Sequence, residues 1–198
     1  MSPPDLLIEK ELWAKRKIPA GVDEAGRGPL AGPVVAAAVI LPEGCSIEGI
    51  DDSKKLSHPR RKAVLEKITK TAVSVAVGIV EPEKIDEINI LRASLIAMEI
   101  AVNNLVTKPD FLLIDGNQRI SLLIPQETII KGDSRCSSIA AASILAKVTR
   151  DSIMEEYDNL YPEYNFRSHK GYPTREHFEA IRKYGPCPIH RKTFRGVL

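Results

Sequence analysis

The chain has 198 residues, of which 43% are apolar, and this size and composition are typical of one soluble folded domain rather than a disordered chain. Lys and Arg number 28 against 26 Asp and Glu, so the net charge of +2 neither indicates nor excludes a nucleic-acid partner. Three scattered cysteines exclude a disulfide framework, and no segment resembles a membrane span or a secretory signal, so we expect a reducing cytoplasm and no membrane contact.

The first predicted element is a short amphipathic helix within residues 1–19. Short apolar or β-branched runs then predict strands at residues 20–23, 34–41, 73–80, 111–114 and 128–131. Apolar side chains spaced by three and four positions predict helices at residues 59–70, 85–106, 137–160 and 174–183, the last with Thr174 as its N-cap. Residues 185–198 contain two prolines, which favour irregular structure.

This order of elements predicts an α/β domain with a mixed β-sheet flanked by helices and a C-terminal helical extension. We expect residues 1–198 to form one domain. Residues 1–19 would be an N-terminal segment, and about residues 160–198 would form the extension and tail.

Acidic side chains stand at the ends of three predicted strands. Asp23 and Glu24 end the first strand, Asp115 follows residues 111–114, and Asp133 follows residues 128–131. Ligands of open α/β sheets bind at the carboxyl ends of strands, and a divalent cation would relieve the repulsion among converging carboxylates. Oxygen ligands favour Mg²⁺ or Mn²⁺ over zinc. Each acid also has an ordinary explanation, since Asp115-Gly116 is typical of a turn, Asp133-Ser134 of an N-cap, and Asp23-Glu24 of a solvated strand end.

The second long helix carries a line of polar side chains. Ser143, Lys147 and Arg150 fall within about 60° of one another on a helical wheel, away from the apolar arc. A hydroxyl, an ammonium and a guanidinium in one line suit a phosphate backbone, although a solvated charged face would have the same pattern. Upstream, Gly26-Arg27-Gly28 offers two positions without a Cβ, where the backbone can approach a ligand closely.

Several segments together resemble the ribonuclease HII family. They are AGVDEAGRGPLAGP at residues 20–33, DSKKLS at 52–57, EINI at 87–90, IDGN at 114–117, KGDS at 131–134, AASILAKVTRD at 141–151 and HKGYPT at 169–174. They occur in the order of that family and cover most of residues 20–175. The resemblance implies a ribonuclease H-like fold and an endonuclease that cuts RNA in RNA–DNA hybrids and 5′ of single ribonucleotides in duplex DNA. The products would carry a 3′-hydroxyl and a 5′-phosphate.

The resemblance also implies roles for particular residues. Asp23, Glu24, Asp115 and Asp133 match the four catalytic metal ligands, and two Mg²⁺ or Mn²⁺ ions would act in catalysis. We take Asp23 and Asp115 as the best candidates for bridging both ions, with Glu24 and Asp133 each completing one. The substrate-binding positions implied are Gly26, Arg27, Gly28, Lys54, Lys55, Ser143, Lys147, Arg150 and Tyr172. The first three would grip the ribose, and Tyr172 would pack on the following deoxyribose.

Further expectations concern Asn89, three histidines and the oligomeric state. Asn89 matches the family pattern, but it is equally typical of a helix N-cap. His177 is expected on a helix surface and His190 in the irregular tail, and we do not expect either of them or His169 to be essential, because metal ions can activate water and stabilise a leaving group. We expect a monomer.

Two competing functions remain open from the sequence. A DNA-cutting nuclease of the same superfamily would have similar acids, but it would leave Gly26-Arg27-Gly28 and Tyr172 without a role. A non-enzymatic nucleic-acid binding domain would use the basic helix and would cut nothing in Mg²⁺ or Mn²⁺. Residues 26–32 do not match the glycine spacing of nucleotide-binding loops.

Overall fold

Five strands form one mixed sheet in the computed structural model, which describes residues 4–51, 53 and 56–198. They are β1 (Pro19–Ala25), β2 (Val34–Ile40), β3 (Ser74–Val80), β4 (Phe111–Asp115) and β5 (Gln126–Ile129). Their spatial order is β3-β2-β1-β4-β5. Strands β1, β4 and β5 run parallel, whereas β2 is antiparallel to both β1 and β3. The predicted mixed sheet is confirmed.

The described part of the chain contains six α-helices. They are α1 (Leu7–Ala14), α2 (His58–Thr71), α3 (Pro82–Asn104), α4 (Ser137–Leu160), α5 (Phe166–His169) and α6 (Arg175–Tyr184). The long helix α4 begins and ends at the predicted residues, and the Thr174 side chain caps α6 by accepting a hydrogen bond from the His177 N–H. Two 3₁₀ turns, Gly132–Ser134 and Pro162–Tyr164, were not predicted. None of the helices described is long and apolar enough to cross a membrane.

Helices cover both faces of the sheet because β2 is apolar on both sides. Alternate residues of a strand point to opposite faces, so Ala36 and Ala38 pack toward α3 while Ala37 and Val39 pack toward α2 and α4. Glycine allows the closest approach between sheet and helix. A Cβ at Gly21 in β1 would lie 2.1 Å from the backbone of Ser138 in α4. The small residues thus hold α4 directly against the strand that carries Asp23 and Glu24.

Helix α3 is kinked at Asn89, whose backbone has φ 66° and ψ 164°. The Asn89 side-chain oxygen accepts hydrogen bonds from the N–H groups of Leu91 and Arg92, at 3.0 and 3.2 Å. It therefore acts as the N-cap of the second half of the helix, as one of the two sequence interpretations predicted.

The C-terminal residues 185–198 are irregular, as predicted, but they are not a loose tail. Cys187, Ile189 and Val197 join α5 and α6 in a hydrophobic cluster that also includes Leu30 and Ala31, from the segment after β1. The cluster attaches the C-terminal part of the chain to the loop that leaves β1, and this places it beside the candidate site.

Candidate active site

The parallel pairing of β1 and β4 brings their acids to one end of the sheet. Val22 is the register partner of Ile114, so Asp23 and Asp115 follow at the same level on neighbouring strands. Asp23 lies on the α4 face of β1, and Glu24 points to the opposite face, toward α3. Asp23, Glu24 and Asp115 all line one open cleft of about 230 Å³.

Burial and mutual repulsion perturb these carboxylates. Burial raises the pKa of Asp23 well above its ordinary value, and the neighbouring charges of Glu24 and Asp115 raise it further. Burial also raises the pKa of Glu24, although the adjacent Arg27 guanidinium opposes that shift. The sheet therefore holds negative groups close together at a cost, which is typical of a functional site rather than of a solvated strand end.

The protein holds each of these three carboxylates by at least one hydrogen bond or ion pair. An Asp23 oxygen accepts the Glu24 N–H at 2.7 Å, and an Asp115 oxygen accepts the Gly132 N–H at 2.7 Å. The Glu24 carboxylate pairs with the Arg27 guanidinium at 3.2 Å. These bonds fix the carboxylates at the end of the sheet.

Asp133 lies in the 3₁₀ turn Gly132–Ser134 and is buried. The preceding glycine connects this turn to β4 through its bond to Asp115, and a Cβ there would lie 2.6 Å from the Ile139 side chain. Asp133 thus follows a residue that is bonded to Asp115, but its own side chain is not among those that line the cleft. It does not cap α4, whose N-cap residue is Cys136.

The donor set suits a hard divalent cation, because converging carboxylates supply the oxygen ligands that Mg²⁺ and Mn²⁺ prefer. Asp23, Glu24 and Asp115 could supply ligands from the cleft, and Asp133 from its 3₁₀ turn. Within residues 4–51, 53 and 56–198, no three acidic, His or Cys side chains are arranged closely enough to hold a metal ion as they stand. The carboxylates bond to Gly132, Arg27 and neighbouring backbone instead.

The loop after β1 forms one wall of the cleft, with Gly26, Arg27 and Gly28 all lining it. Gly26 has φ 99°, and a Cβ there would lie 2.2 Å from the Arg150 guanidinium, so this glycine is required by packing as well as by backbone conformation. Gly28 is open on the cleft side, where a Cβ would lie 3.7 Å from the Tyr172 ring. The loop and Tyr172 thus face each other.

Helix α4 and Tyr172 complete the cleft. Ser143 and Lys147 line it, and so does Tyr172, whose side chain is exposed. The Lys147 ammonium lies 5.8 Å from the centre of the Tyr172 ring and 2.7 Å from the Asp151 carboxylate. Burial lowers the pKa of Lys147, and its bond to Asp151 counteracts that shift.

The prediction that Arg150 contacts phosphate is wrong. Its side chain is fully buried, and its guanidinium donates hydrogen bonds of 3.0 Å to the carbonyls of Ala31, Pro33 and Lys170. The guanidinium also lies 5.9 Å from the centre of the Tyr172 ring. Helical periodicity places Arg150 in line with Lys147, but it does not show that two loops cover this turn of the helix. Arg150 therefore stabilises the segments beside the cleft and does not contact the substrate.

The predicted surface position of His177 is also wrong, because His177 is 0% exposed and His190, in the tail, is 1% exposed. The His177 ring stacks on that of the buried His169 and also contacts that of His190, and burial lowers the pKa of His177 and of His190 to about 4. Lys54 and Lys55 lie outside the described residues, so their phosphate contacts stay predictions.

Sequence reasoning assigned no role to three side chains that shape the cleft. Ser53 lines it and hydrogen-bonds the Ser143 hydroxyl at 3.0 Å, Asp151 holds Lys147, and the fully buried Arg191 binds the loop after β1. Ser53 and Asp151 lie in segments that match the family pattern, which was the available signal. Arg191 lies in a stretch without periodicity, so no sequence pattern indicated it.

Comparisons with known proteins identify the family of the chain. A family model described as Ribonuclease HII matches residues 20–197. The chain is 61% identical to a Ribonuclease HII of Geobacter metallireducens, covering 98% of this chain and 94% of the relative, and 55% identical to one of Lactobacillus johnsonii, covering 96% and 75%.

Solved structures agree as well. The ribonuclease H2 of Pyrococcus horikoshii matches with a TM-score of 0.75 and 30% identity, over 90% of this chain and 94% of that one. A chain of the PCNA:RNase HII complex from Archaeoglobus fulgidus matches with a TM-score of 0.77 and 26% identity, over 90% and 95%. The chain therefore belongs to the ribonuclease HII family, and it is an endonuclease that hydrolyses phosphodiester bonds of RNA paired with DNA.

Proposed function

We propose that this endonuclease also cuts on the 5′ side of a single ribonucleotide embedded in duplex DNA, leaving a 3′-hydroxyl and a 5′-phosphate. The observation that carries the proposal is that one cleft is lined by three carboxylates, by the Gly26–Gly28 loop and by the Tyr172 ring. The loop and the ring face each other beside these carboxylates, an arrangement that suits recognition of a single sugar next to the scissile phosphate.

The residues divide the work as follows. Asp23, Glu24, Asp115 and Asp133 would together hold two Mg²⁺ or Mn²⁺ ions. Such ions supply activated water and stabilise the leaving oxygen of a phosphodiester. The carboxylates would fix the positions of these ions at the strand ends, beside the scissile phosphate.

The loop and the ring would read the sugar. The 2′-hydroxyl is the group that distinguishes RNA from DNA, and backbone groups of Gly26, Arg27 and Gly28 can approach it without side-chain obstruction. Tyr172 would pack on the deoxyribose that follows the ribonucleotide. Arg27 is half-exposed, so its weak pair with Glu24 leaves its guanidinium able to contact a phosphate.

Helix α4 would bind the nucleic-acid backbone through Ser143 and Lys147. Lys54 and Lys55 are proposed to add phosphate contacts on the strength of the family resemblance. We further propose that residues 1–198 act as one catalytic domain, as a monomer, in the cytoplasm.

The decisive experiment compares two end-labelled duplexes in Mg²⁺, one with a single ribonucleotide and one entirely of DNA. We expect cutting only in the first, at the phosphate 5′ of the ribonucleotide, and loss of cutting when a chelator removes the metal. Equal cutting of both duplexes would favour a DNA nuclease. Binding of folded protein without cutting in Mg²⁺ or Mn²⁺ would contradict the enzymatic proposal.

A further inference from the structure

Two consecutive buried residues of the C-terminal segment, His190 and Arg191, are connected by hydrogen bonds to opposite walls of the cleft. Both are almost fully buried, and neither lines the cleft itself. Each is connected by hydrogen bonds to a different element that would read the substrate. His190 is connected through His177 to the Tyr172 carbonyl, and Arg191 is bonded directly to the loop of Gly26, Arg27 and Gly28.

Arg191 uses all of its side-chain donors on this loop. Its guanidinium donates to five carbonyls at 2.7–3.2 Å, those of Gly26, Arg27, Pro29, Gly32 and Pro33. An arginine side chain has five N–H groups, so the set is complete. Backbone bonds reinforce the contact, because the Arg191 N–H donates to Leu30 and Ile189 accepts from Gly32.

These bonds also determine which way the peptide groups of the loop point. In a planar trans peptide the C=O and the following N–H point in opposite directions. Since the carbonyls of Gly26 and Arg27 point toward Arg191, the N–H groups of Arg27 and Gly28 point away from it. The loop residues line the cleft, so Arg191 sets the orientation of the donors available to a ribose hydroxyl there.

His190 belongs to a hydrogen-bond chain with one consistent direction. The Cys187 N–H donates to His190 Nδ1 at 2.9 Å, so this nitrogen accepts and the neutral ring carries its proton on Nε2. His190 Nε2 lies 3.0 Å from His177 Nε2 and donates to it. His177 then carries its proton on Nδ1 and donates it to the Tyr172 carbonyl at 2.9 Å. Both rings must be neutral for this chain to exist.

We propose that His190 and Arg191 are positioning residues for substrate recognition, Arg191 by orienting the ribose-reading loop and His190 by fixing the backbone of Tyr172 through His177. This inference rests on the function proposed above. It predicts that the two residues affect different steps of recognition although they are neighbours in the chain.

The test for Arg191 is the substitution Arg191→Lys, which keeps the charge but cannot bond five carbonyls. Assayed where its melting curve shows only native protein, the variant should cut the single-ribonucleotide duplex with a kcat about 10-fold lower and a KM changed by less than about twofold, since a loss of orientation acts mainly on the transition state. Arg182→Lys, on the exposed face of α6, is the matched control and should cut like wild type.

The test for His190 is His190→Phe, which keeps a ring but removes both nitrogens. Wild type and variant cut a mixture of the single-ribonucleotide duplex and a continuous RNA–DNA hybrid, and the ratio of the two kcat/KM values is measured. This ratio does not depend on how much of the enzyme is folded. In His190→Phe, we expect the kcat/KM for the single-ribonucleotide duplex, divided by that for the hybrid, to fall about fivefold, because only the first duplex offers Tyr172 a deoxyribose. About 1 kcal/mol of lost contact gives that factor. His58→Phe, at the partly exposed first residue of α2, is the control.

The outcomes distinguish failure of the proposed function from failure of the positioning inference. If wild type does not cut the single-ribonucleotide duplex, whether or not it cuts the hybrid, the proposed function fails. If wild type cuts both, but the ratio for His190→Phe and the kcat of native Arg191→Lys equal those of their controls, the positioning inference is overturned. Equal losses on both substrates in His190→Phe would also overturn it, since they would indicate a purely structural role.

Discussion

Replacing Gly21 by Ala would test the contact that holds helix α4 against the sheet. The new Cβ would lie 2.1 Å from the Ser138 carbonyl carbon, 2.4 Å from its oxygen and 2.3 Å from the Ile139 nitrogen. These are backbone atoms, so no side chain can turn aside. Ordinary contact begins near 3.4 Å, and β1 and α4 would therefore have to separate by more than about 1 Å in a close-packed interior.

We expect Gly21→Ala to reduce the free energy of unfolding by about 3 kcal/mol, at the upper end of the effect of overpacking. For a domain of this size the melting temperature should fall by about 6–12 °C. Cleavage should fall as well, since β1 carries Asp23 and Glu24 while α4 carries Ser143 and Lys147 into the same cleft.

The assay is urea unfolding of wild type and variant, with the cleavage rate of the single-ribonucleotide duplex measured below both midpoints. Gly44→Ala is the control, because a Cβ there would have no atom within 4 Å, and its positive φ, which Gly21 does not share, adds only backbone strain. It should lose only about 1 kcal/mol, from backbone strain. If Gly21→Ala lost no more than Gly44→Ala, the reasoning about the helix–sheet contact would be refuted.

Three further outcomes are expected. Asp115→Asn should abolish cleavage and leave the melting temperature within a few degrees of wild type, because the amide oxygen still accepts the backbone hydrogen bond while the charge is lost; normal cutting in Mg²⁺ would contradict the assignment. From pH 7 to pH 5, the free energy of unfolding should decrease by about 2 kcal/mol for each ring with a folded pKa of about 4, as with His177. The cause is that the unfolded ring binds a proton near pH 6.5 and the folded ring does not. Urea unfolding of His177→Gln at both pH values should show a smaller decrease than wild type, and a decrease equal to that of wild type would refute this. Asp151→Asn should lower the free energy of unfolding by about 2–4 kcal/mol and raise KM, because it removes the buried partner of Lys147. The control Glu179→Gln, in the exposed pair with Arg175, should change the free energy of unfolding by under about 0.5 kcal/mol. Equal melting curves for the two variants would contradict this contrast.

The sequence allowed the sheet and the acids to be predicted because both depend on short-range patterns. An apolar run that ends in Asp predicts a strand and a carboxylate at its end, and parallel pairing then places Asp23 beside Asp115. Helix α4 was predicted with its bounds because its apolar side chains repeat over its whole length. The family resemblance added the loop and Tyr172, which no periodicity would indicate.

The errors have a common physical cause, which is coverage by segments distant in the chain. Arg150 falls on the polar arc of α4, yet carbonyls of Ala31 and Lys170 cover it. His177 lies on a helix with a strongly polar composition, yet residues 187–190 pack over its ring. A helical wheel gives the direction of a side chain but not what lies above it, so buried charged residues of this kind cannot be identified from local pattern.

The bonds between Arg191 and the loop after β1 also constrain the order in which the protein becomes competent. A ribosome makes residues 26–33 more than 150 residues before it makes the guanidinium that holds their carbonyls. Contacts of such long sequence separation form late in folding, because the chain must first close a large loop. A nascent chain that already contains the sheet and all four acids would still have an unsupported recognition loop. The enzyme would therefore acquire its selectivity for ribose only after residue 191 has been synthesised and has bonded to the loop.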